Sequence, residues 1–329
     1  MKLKFVMAEG AAPNLDIEHE YLRGQSVEVR IAPLNDPDQV ALETAGADGV
    51  IVSVEPMPRE YIERLGPGVK IIGRAGIGLD AIDLDAARER GVAVFHTPDY
   101  ATEEVATHAL ALILALNRRV KEGDALARGG WSDYEQLTPV KPLSEQVVGV
   151  LGLGRIGRAV IERLIPFHPR IIGYDPFVEK PPPGTELAAD MDDLLKQSEI
   201  LTLHIPVTPS TIKIIGRREL GLLPQGAVLI NVSRGRLIDQ DALVEALNRG
   251  VLRAGLDVLE VEPPPDEAPI LKAPNVVLSP HFAWYSGSSE QRVRTQTLQG
   301  MLDYLGGQPI RSGRMVVDPR MPERPGGVG

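Results

Sequence analysis

The stretch Val147-Val-Gly-Val-Leu-Gly-Leu-Gly-Arg-Ile-Gly157 decides the fold of this chain of 329 residues. A short apolar run ends at Leu151, and glycines follow at positions 152, 154 and 157. Gly152 permits a tight turn, Gly154 lets the backbone approach a pyrophosphate, and Gly157 lets a helix pack closely on the strand. The stretch therefore predicts a strand, a phosphate-binding turn and a helix, as in a dinucleotide-binding unit.

Other apolar runs along the chain also end on a glycine, a polar residue or a charged residue. Upstream the runs lie at 5–7, 27–31, 49–54, 69–72 and 92–95, and downstream they lie at 171–174, 200–203, 227–232, 253–256 and 276–279. Helical patterns separate many of the runs, and this alternation is typical of parallel sheets covered by helices on both faces. We therefore predict an α/β protein with two doubly wound parallel-sheet domains. One combines residues 1–101 with 284–329, and the other is a Rossmann domain at 102–283.

The composition of the chain restricts the classes of function. The 45 acidic and 35 basic residues give a net charge of −10, which argues against binding to nucleic acid or to anionic membranes. There is no cysteine, so disulfides, thiolate metal sites and cysteine nucleophiles are excluded, and we expect no metal site. No apolar run approaches the length of a membrane span, and Met1–Met7 lacks the long apolar stretch of a signal peptide, so we expect a cytoplasmic protein.

The strand that follows the glycine-rich turn ends on Asp175. An acid at this distance from the turn accepts hydrogen bonds from the adenosine ribose and repels a 2′-phosphate, so the sequence favours NAD over NADP. Arg155 lies inside the turn, where it can meet a phosphate and soften that preference. The alternative interpretation is an ordinary glycine-rich turn followed by a solvated acid at a strand end.

Three chemically capable side chains follow successive downstream strands, namely Arg234, Glu262 and His281. An arginine pairs with a carboxylate or with a carbonyl–carboxylate edge through two parallel hydrogen bonds. A histidine beside a carboxylate can hold a proton near neutral pH and transfer it to a carbonyl oxygen. Singly, these residues read as a surface arginine, a loop glutamate and a structural histidine. Their joint position beside a nucleotide turn favours an active site.

With these motifs the chain resembles the D-isomer-specific 2-hydroxyacid dehydrogenase family. The matching segments are Gly152–Gly157, Asn231–Asp239, Gly255–Pro263 and Ser279–His281. Within the family the chain is most similar to the C-terminal binding protein branch, through Arg74–Asp80, Thr97–Glu104 and His281–Ser286. Ile77 departs from that branch, which has a small polar residue there.

The resemblance implies a flavodoxin-like substrate domain beside the NAD-binding Rossmann domain, and a role for each matching residue. Arg234, Glu262 and His281 would be catalytic, with His281 as general acid and base. The cofactor-binding residues would be Gly152, Gly154, Arg155, Ile156, Gly157, Asp175, His204, Ile205, Pro206, Thr211, Val232, Ser233, Asp257 and His281. His204–Pro206 would flank the adenosine, and Asp257 would contact the nicotinamide carboxamide. The substrate-binding residues would be Arg74, Gly76, Ile77, Arg234, His281 and Trp284.

The leading hypothesis is an NAD-dependent dehydrogenase acting on a small 2-hydroxy or 2-oxo acid. A second hypothesis is an NAD(H)-responsive dimeric interaction module with little or no turnover. A formate dehydrogenase is less favoured, because that branch pairs its histidine with an amide and Glu262 is a carboxylate. The resemblance also implies a homodimer formed through the NAD-binding domain, to which the segment Trp131–Leu143 would contribute.

Overall fold

The computed structural model describes residues 2–131 and 134–321. Ser132 and Asp133 of the predicted dimer segment, and residues 322–329 of the predicted substrate domain, lie outside the described residues. The chain divides into two compact units. The first unit contains the chain up to Ala101 and from Ser286 onward, and the second unit contains Thr102–Tyr285. The predicted division between 283 and 284 lies two residues before the second of these boundaries.

The bounds of the strands and helices, in chain order, are as follows. The strands are β1 (Leu3–Ala8), β2 (Val27–Ala32), β3 (Gly49–Val52), β4 (Ile71–Arg74), β5 (Ala93–His96), β6 (Val147–Leu151), β7 (Arg170–Tyr174), β8 (Glu186–Leu187), β9 (Ile200–Leu203), β10 (Ala227–Asn231), β11 (Leu252–Leu256), β12 (Val276–Leu278) and β13 (Arg314–Val317). The α-helices are α1 (Asp16–Tyr21), α2 (Pro37–Glu43), α3 (Arg59–Arg64), α4 (Leu84–Arg90), α5 (Thr102–Asn117), α6 (Val120–Arg128), α7 (Arg155–Leu164), α8 (Met191–Gln197), α9 (Arg217–Leu222), α10 (Gln240–Asn248), α11 (Pro269–Lys272) and α12 (Gly287–Leu305).

In the first unit, the described strands form a six-stranded sheet with the order β13-β5-β4-β3-β1-β2. The five strands from β1 to β5 are parallel, and their order is that of a flavodoxin-like sheet. One face packs on α2, α3 and α4 through a buried cluster that includes Val50, Ile62 and Ile72. The opposite face packs on α12, where the missing side chain of Gly73 admits Met301. The predicted doubly wound arrangement is therefore confirmed for this unit.

In the second unit, the described strands form a seven-stranded parallel sheet with the order β12-β11-β10-β9-β6-β7-β8. Counted from β6, its first six strands have the order 3-2-1-4-5-6 of a Rossmann fold. One face packs on α8, α9 and α10, and the other packs on α5 and α7. Gly255 of β11 faces Leu112 and Leu116 of α5, so the helix lies close to the sheet. This topology brings the carboxyl ends of β6, β7, β9, β10, β11 and β12 to one edge.

The structure differs from the sequence prediction at some short elements. The prediction of parallel sheets omits β13, which pairs with β5 in the antiparallel direction and carries a bulge between Met315 and Val317. The two-residue strand β8 and the short helices α1 and α6 were also missed, because none of them has a long apolar period. Among the described residues, none of the helices combines the length and the apolar character that a membrane crossing requires.

Candidate active site

The glycine-rich turn joins β6 to α7 and has the geometry that the spacing predicts. Gly152 has a φ of +97°, and a Cβ there would lie 2.5 Å from the carbonyl oxygen of His204. A Cβ on Gly157 would overlap the carbonyl oxygen of Gly152, so the helix can follow the turn this closely only with glycine. A Cβ on Gly154, in contrast, would meet no atom of the described residues within 4 Å. The turn is therefore tightly packed at its two ends and open at Gly154.

The open turn fits a bound pyrophosphate. Helix α7 has ten residues, begins at Arg155, and receives no side-chain cap from the described residues. A helix N-terminus offers unsatisfied N–H groups and a partial positive charge to an anion. Arg155 and Ile156 lie in this first turn, where Arg155 is exposed and Ile156 is partly buried. These features match what a dinucleotide needs at its phosphates.

Asp175 lies directly after β7 and fixes the turn through its carboxylate. Its Oδ2 atom accepts a hydrogen bond of 2.9 Å from the N–H of Leu153, and its Oδ1 atom accepts one of 3.0 Å from the N–H of Phe177. Both bonds are made with backbone, so the acid is oriented before any ligand binds. The remaining lone pairs of a carboxylate can still accept from ribose hydroxyls.

His204 and the residues after it form the loop that follows β9. The Nε2 atom of His204 lies 2.9 Å from Oγ1 of Thr202, whereas its Nδ1 atom is buried and has no hydrogen-bond partner among the described residues. Burial lowers the pKa of His204 to about 3, so the ring is neutral at physiological pH. Ile205 packs on Gly152. The hydroxyl of Thr211 donates to the carbonyl of Pro206 over 2.7 Å, and so holds the loop closed.

Arg234 is positioned by a hydrogen-bonded segment after β10. Asn231 accepts from the N–H of Ser233 (3.0 Å) and donates to the carbonyl of Arg234 (2.8 Å). The hydroxyl of Ser233 donates to the carbonyl of Leu203 at the end of β9, over 2.7 Å. Between them Val232 is buried. The Arg234 guanidinium donates to the carbonyl of Ser233 over 2.8 Å.

Glu262 and His281 form a direct pair at the same edge. The Nδ1 atom of His281 is 2.5 Å from Oε2 of Glu262, and Oε1 accepts the N–H of Leu259 over 2.7 Å. Burial raises the pKa of Glu262, but the His281 hydrogen bond and charge, the Leu259 N–H and the Arg234 charge together hold it below its ordinary value. The structure therefore brings the three predicted catalytic residues into one electrostatic cluster with an ionised carboxylate.

Asp257 organises the backbone that carries His281. Its carboxylate is buried and accepts from the hydroxyl of Ser279 (2.5 Å), the N–H of Phe282 (2.8 Å) and the N–H of Ala283 (2.9 Å). Its own carbonyl accepts the N–H of His281 over 2.8 Å. This frame holds His281 at a φ of +52°, a left-handed conformation that is rare outside glycine. The predicted carboxamide contact of Asp257 stays a prediction.

Three aromatic side chains follow His281. The Trp284 and Tyr285 rings meet edge to face with centroids 5.5 Å apart, and the Phe282 and Tyr285 rings stack at 5.2 Å. Phe282 and Tyr285 are exposed, and Trp284 is partly buried. The contact of Trp284 with a substrate side chain stays a prediction.

In the first unit, the loop after β4 presents backbone N–H groups. Arg74 donates to the carbonyls of Ala75 (2.7 Å) and Gly78 (3.0 Å), and His96 Nδ1 lies 2.9 Å from the carbonyl of Ile77. The N–H of Gly76 is bonded to Thr97 Oγ1 at 3.0 Å, so it is not open to a ligand. Among the described residues, the N–H groups of Ile77 and Gly78 meet no acceptor. These two groups, rather than that of Gly76, can bind an anion.

Several residues of these networks escaped the sequence interpretation. Asn231 and Ser279 lie inside the quoted motifs, but no role was predicted for either of them. His96 and His108 were not singled out, although a histidine at the end of a strand or on an apolar helix is a visible signal. Their hydrogen bonds join distant parts of the chain, which spacing alone does not reveal.

Comparison with known proteins identifies the family. The family model described as "D-isomer specific 2-hydroxyacid dehydrogenase, NAD binding domain" matches residues 110–283, which is more than half of the chain. The chain belongs to this family. The predicted family and its NAD-binding domain are therefore confirmed, and membership of the C-terminal binding protein branch stays a prediction.

Relatives with assigned names are dehydrogenases and reductases. A D-3-phosphoglycerate dehydrogenase of Methanocaldococcus jannaschii is 38% identical over 287 residues, covering 85% of this chain and 54% of the relative. The chain thus spans about half the length of such phosphoglycerate dehydrogenases. A hydroxypyruvate reductase of Thermotoga maritima is 37% identical over 78% of this chain and 84% of its own length. The crystal structure of an Aquifex aeolicus D-lactate dehydrogenase with NAD and lactic acid is 29% identical, with a TM-score of 0.82 over 92% of this chain and 96% of that one.

Proposed function

We propose that this chain is an NAD-dependent D-2-hydroxyacid dehydrogenase, or 2-oxoacid reductase. The observation that carries the proposal is the Glu262–His281 pair with the Arg234 charge beside it, at the sheet edge that also carries the glycine-rich turn. A general acid, a carboxylate that orients it and a fixed cation are the groups that reduction of a 2-oxo acid requires.

His281, Glu262 and Arg234 have different roles in the proposed reaction. His281 donates Nδ1–H to Glu262, so its Nε2 atom is the one that gives a proton to the substrate carbonyl oxygen and takes it back in reverse. Glu262 orients the ring and balances its charge. Arg234 binds the carbonyl–carboxylate edge and stabilises the negative charge that develops on oxygen. A bound nicotinamide cofactor would supply the hydride for the substrate C2 atom as NADH, and would accept it in the reverse direction as NAD⁺.

Residues around the turn would hold the cofactor. The N–H groups of the first turn of α7 would bind the pyrophosphate, and Asp175 would bind the adenosine ribose and disfavour a 2′-phosphate. The loop His204–Pro206 and Thr211 would line the adenosine, and Val232, Ser233 and Asp257 would line the nicotinamide end.

In the first unit, the substrate carboxylate would bind the free N–H groups of Ile77 and Gly78 beside Arg74. The carbonyl of Gly76 accepts the N–H of Thr97 over 3.2 Å, and the carbonyl of Ile77 lies 2.9 Å from His96 Nδ1. In a trans peptide the following N–H points opposite to the carbonyl, so the N–H groups of Ile77 and Gly78 point away from these partners. Hydrogen bonds from backbone N–H groups to a carboxylate are charge-assisted and short.

An activity screen tests the proposal. Purified protein with NADH should reduce at least one member of a panel of glyoxylate, hydroxypyruvate, pyruvate and larger 2-oxo acids. His281→Ala should lose turnover and still bind NADH, since Ala removes the proton donor and leaves the turn intact. A wild-type protein that binds NADH and consumes none with the whole panel would contradict the proposal.

A second candidate, an NAD(H)-responsive dimeric module, is favoured by one surface of the second unit. Helix α6 has no buried residue along its described length, and Trp131 and Tyr134 beyond it are 86% and 73% exposed. Such a surface fits a second copy of this chain, as the family resemblance implies. Light scattering with and without NADH would measure it. Trp131→Glu should produce monomers, and NADH-dependent dimers without turnover would favour the module over the enzyme.

A further inference from the structure

The side chain of Ser279 connects two parts of the second unit that are far apart in sequence. Its Oγ atom lies 2.5 Å from Oδ1 of Asp257 and 2.8 Å from Nε2 of His108, a residue of α5. The direct distance from His108 Nε2 to Asp257 Oδ1 is 3.6 Å, so the hydroxyl bridges them. We propose that His108 is a positioning residue that acts through Ser279 and Asp257 on the catalytic His281; this inference rests on the proposed function.

The direction of the hydrogen bonds follows from counting hydrogens. An ionised carboxylate only accepts, so the single hydrogen of the Ser279 hydroxyl goes to Asp257. The Ser279 oxygen is then an acceptor toward His108, and Nε2 of His108 must carry the hydrogen of their bond. The series of hydrogen bonds therefore runs from His108 Nε2–H to Ser279 Oγ–H to Asp257 Oδ1.

This order excludes a hydrolytic interpretation of the serine, histidine and aspartate. In a nucleophilic triad the histidine accepts the proton of the serine, and the acid is bonded to the histidine. Here the histidine donates, and the serine hydrogen is committed to the acid. Ser279 is therefore a structural bridge and not a nucleophile.

The series of hydrogen bonds ends at Asp257, whose hydrogen bonds position His281. Asp257 accepts the N–H groups of Phe282 and Ala283 through its carboxylate, and that of His281 through its carbonyl. These bonds keep His281 in a left-handed conformation, which costs free energy unless the surroundings enforce it. Helix α5 packs on α7, β10 and β11. The hydrogen bond of His108 therefore connects the segment Ser279–Ala283, which carries His281, to a helix that is packed against the sheet.

Two substitutions at position 108 separate a donor role from a space-filling role. His108→Leu removes the N–H, and we expect kcat to fall about tenfold with the KM for the 2-oxo acid unchanged, because small misplacements of a reacting group mainly slow the chemical step. His108→Gln places an amide N–H where Nε2 stands, and it should restore most of kcat. His19→Leu, an exposed helical histidine of the first unit, is the matched control and should leave kcat unchanged.

A double-mutant cycle tests the path through Ser279. Ser279→Ala should lower kcat about as much as His108→Leu. The double variant should have a kcat no lower than that of either single variant, since both substitutions interrupt the same series of hydrogen bonds. Additive losses, failure of Gln to rescue, or a change confined to KM would each overturn the proposal. The melting temperature of each variant shows whether it is folded.

A readout without turnover keeps the two proposals distinguishable. In protein without cofactor, the ¹⁵N and ¹H signals of the His281 imidazole should shift in His108→Leu and in Ser279→Ala, and should not shift in His19→Leu. If wild type reduces no 2-oxo acid, the proposed dehydrogenase fails, and the positioning role is judged by these signals. Unshifted His281 signals in His108→Leu would overturn it.

Discussion

The Nδ1 atom of His281 lies 2.5 Å from Oε2 of Glu262. The second oxygen of the same carboxylate accepts the N–H of Leu259 over 2.7 Å, so Glu262 cannot turn away from the ring without losing a bond to its own loop. The two contacts fix both the direction of the imidazole and which nitrogen is left for chemistry. A histidine without them would sample several orientations and would transfer a proton less effectively.

Glu262→Gln is predicted to lower kcat roughly 10- to 100-fold while NADH binding is unchanged, because the amide keeps a contact with the ring but removes the negative charge that balances a protonated imidazole. Steady-state kinetics and fluorescence titration with NADH measure the two effects. Glu260→Gln is the matched control, since Glu260 pairs with Lys213 at 3.2 Å and has no bond to His281. Equal losses in the two variants would contradict the assigned role.

Arg234→Ala is predicted to raise KM for the 2-oxo acid and to lower kcat together, because the same guanidinium binds the substrate and stabilises charge on its oxygen. Each effect should be about tenfold or more, as expected for a lost charge-assisted pair. Arg236→Ala, two residues further on and exposed, is the control and should leave both constants unchanged. A variant at Arg234 with normal kcat would assign it to binding alone.

The sequence was sufficient for features that depend on buried strands. Runs such as Val147–Leu151 and Ile200–Leu203 are apolar because both faces of the sheet are covered, so the strands and the residues that follow them could be located. The convergence of Arg234 with Glu262 and His281 follows from that topology, because parallel strands end at one edge.

Features that depend on tertiary hydrogen bonds could not be predicted. The N–H of Gly76 is used by Thr97, 21 residues away, and the carboxylate of Asp257 is used by the turn at Ser279–Ala283. The contact between His108 and Ser279 spans 171 residues. Nothing in local periodicity encodes these partners. The edge strand β13 was missed because only Val317 of its four residues is buried.

Two alanine substitutions in the glycine-rich turn should affect different properties, NADH affinity at Gly154 and folding stability at Gly157. At Gly154, φ is −72° and a Cβ meets no described atom within 4 Å, so Gly154→Ala should fold with an unchanged melting temperature and lose NADH affinity. At Gly157, a Cβ would overlap the Gly152 carbonyl, so Gly157→Ala should be destabilised by about 1–3 kcal/mol. Thermal melting and NADH titration of both variants measure the contrast.

Gly221→Ala is the control for the Gly154 variant, since a Cβ there also meets no described atom within 4 Å and the residue lies in α9, away from the turn. It should keep full NADH affinity. If Gly154→Ala binds NADH as tightly as this control, the pyrophosphate does not approach the backbone at Gly154.

His204 is predicted to make the stability of the protein depend on pH. Burial lowers its pKa from 6.5 to about 3 in the folded chain, so between these values the unfolded chain binds a proton that the folded chain does not. Stability should therefore fall as pH drops below 6.5, with a slope of up to about 1.4 kcal/mol per pH unit from this residue. His204→Gln keeps a hydrogen-bonding amide within reach of Thr202 and does not titrate, so its loss of stability between pH 6.5 and pH 4 should be shallower than that of wild type. Urea unfolding of the cofactor-free proteins measures both curves, with exposed His19→Gln as the control that should follow wild type. Parallel curves for wild type and His204→Gln would mean that His204 takes up its proton in the folded state as readily as in the unfolded one.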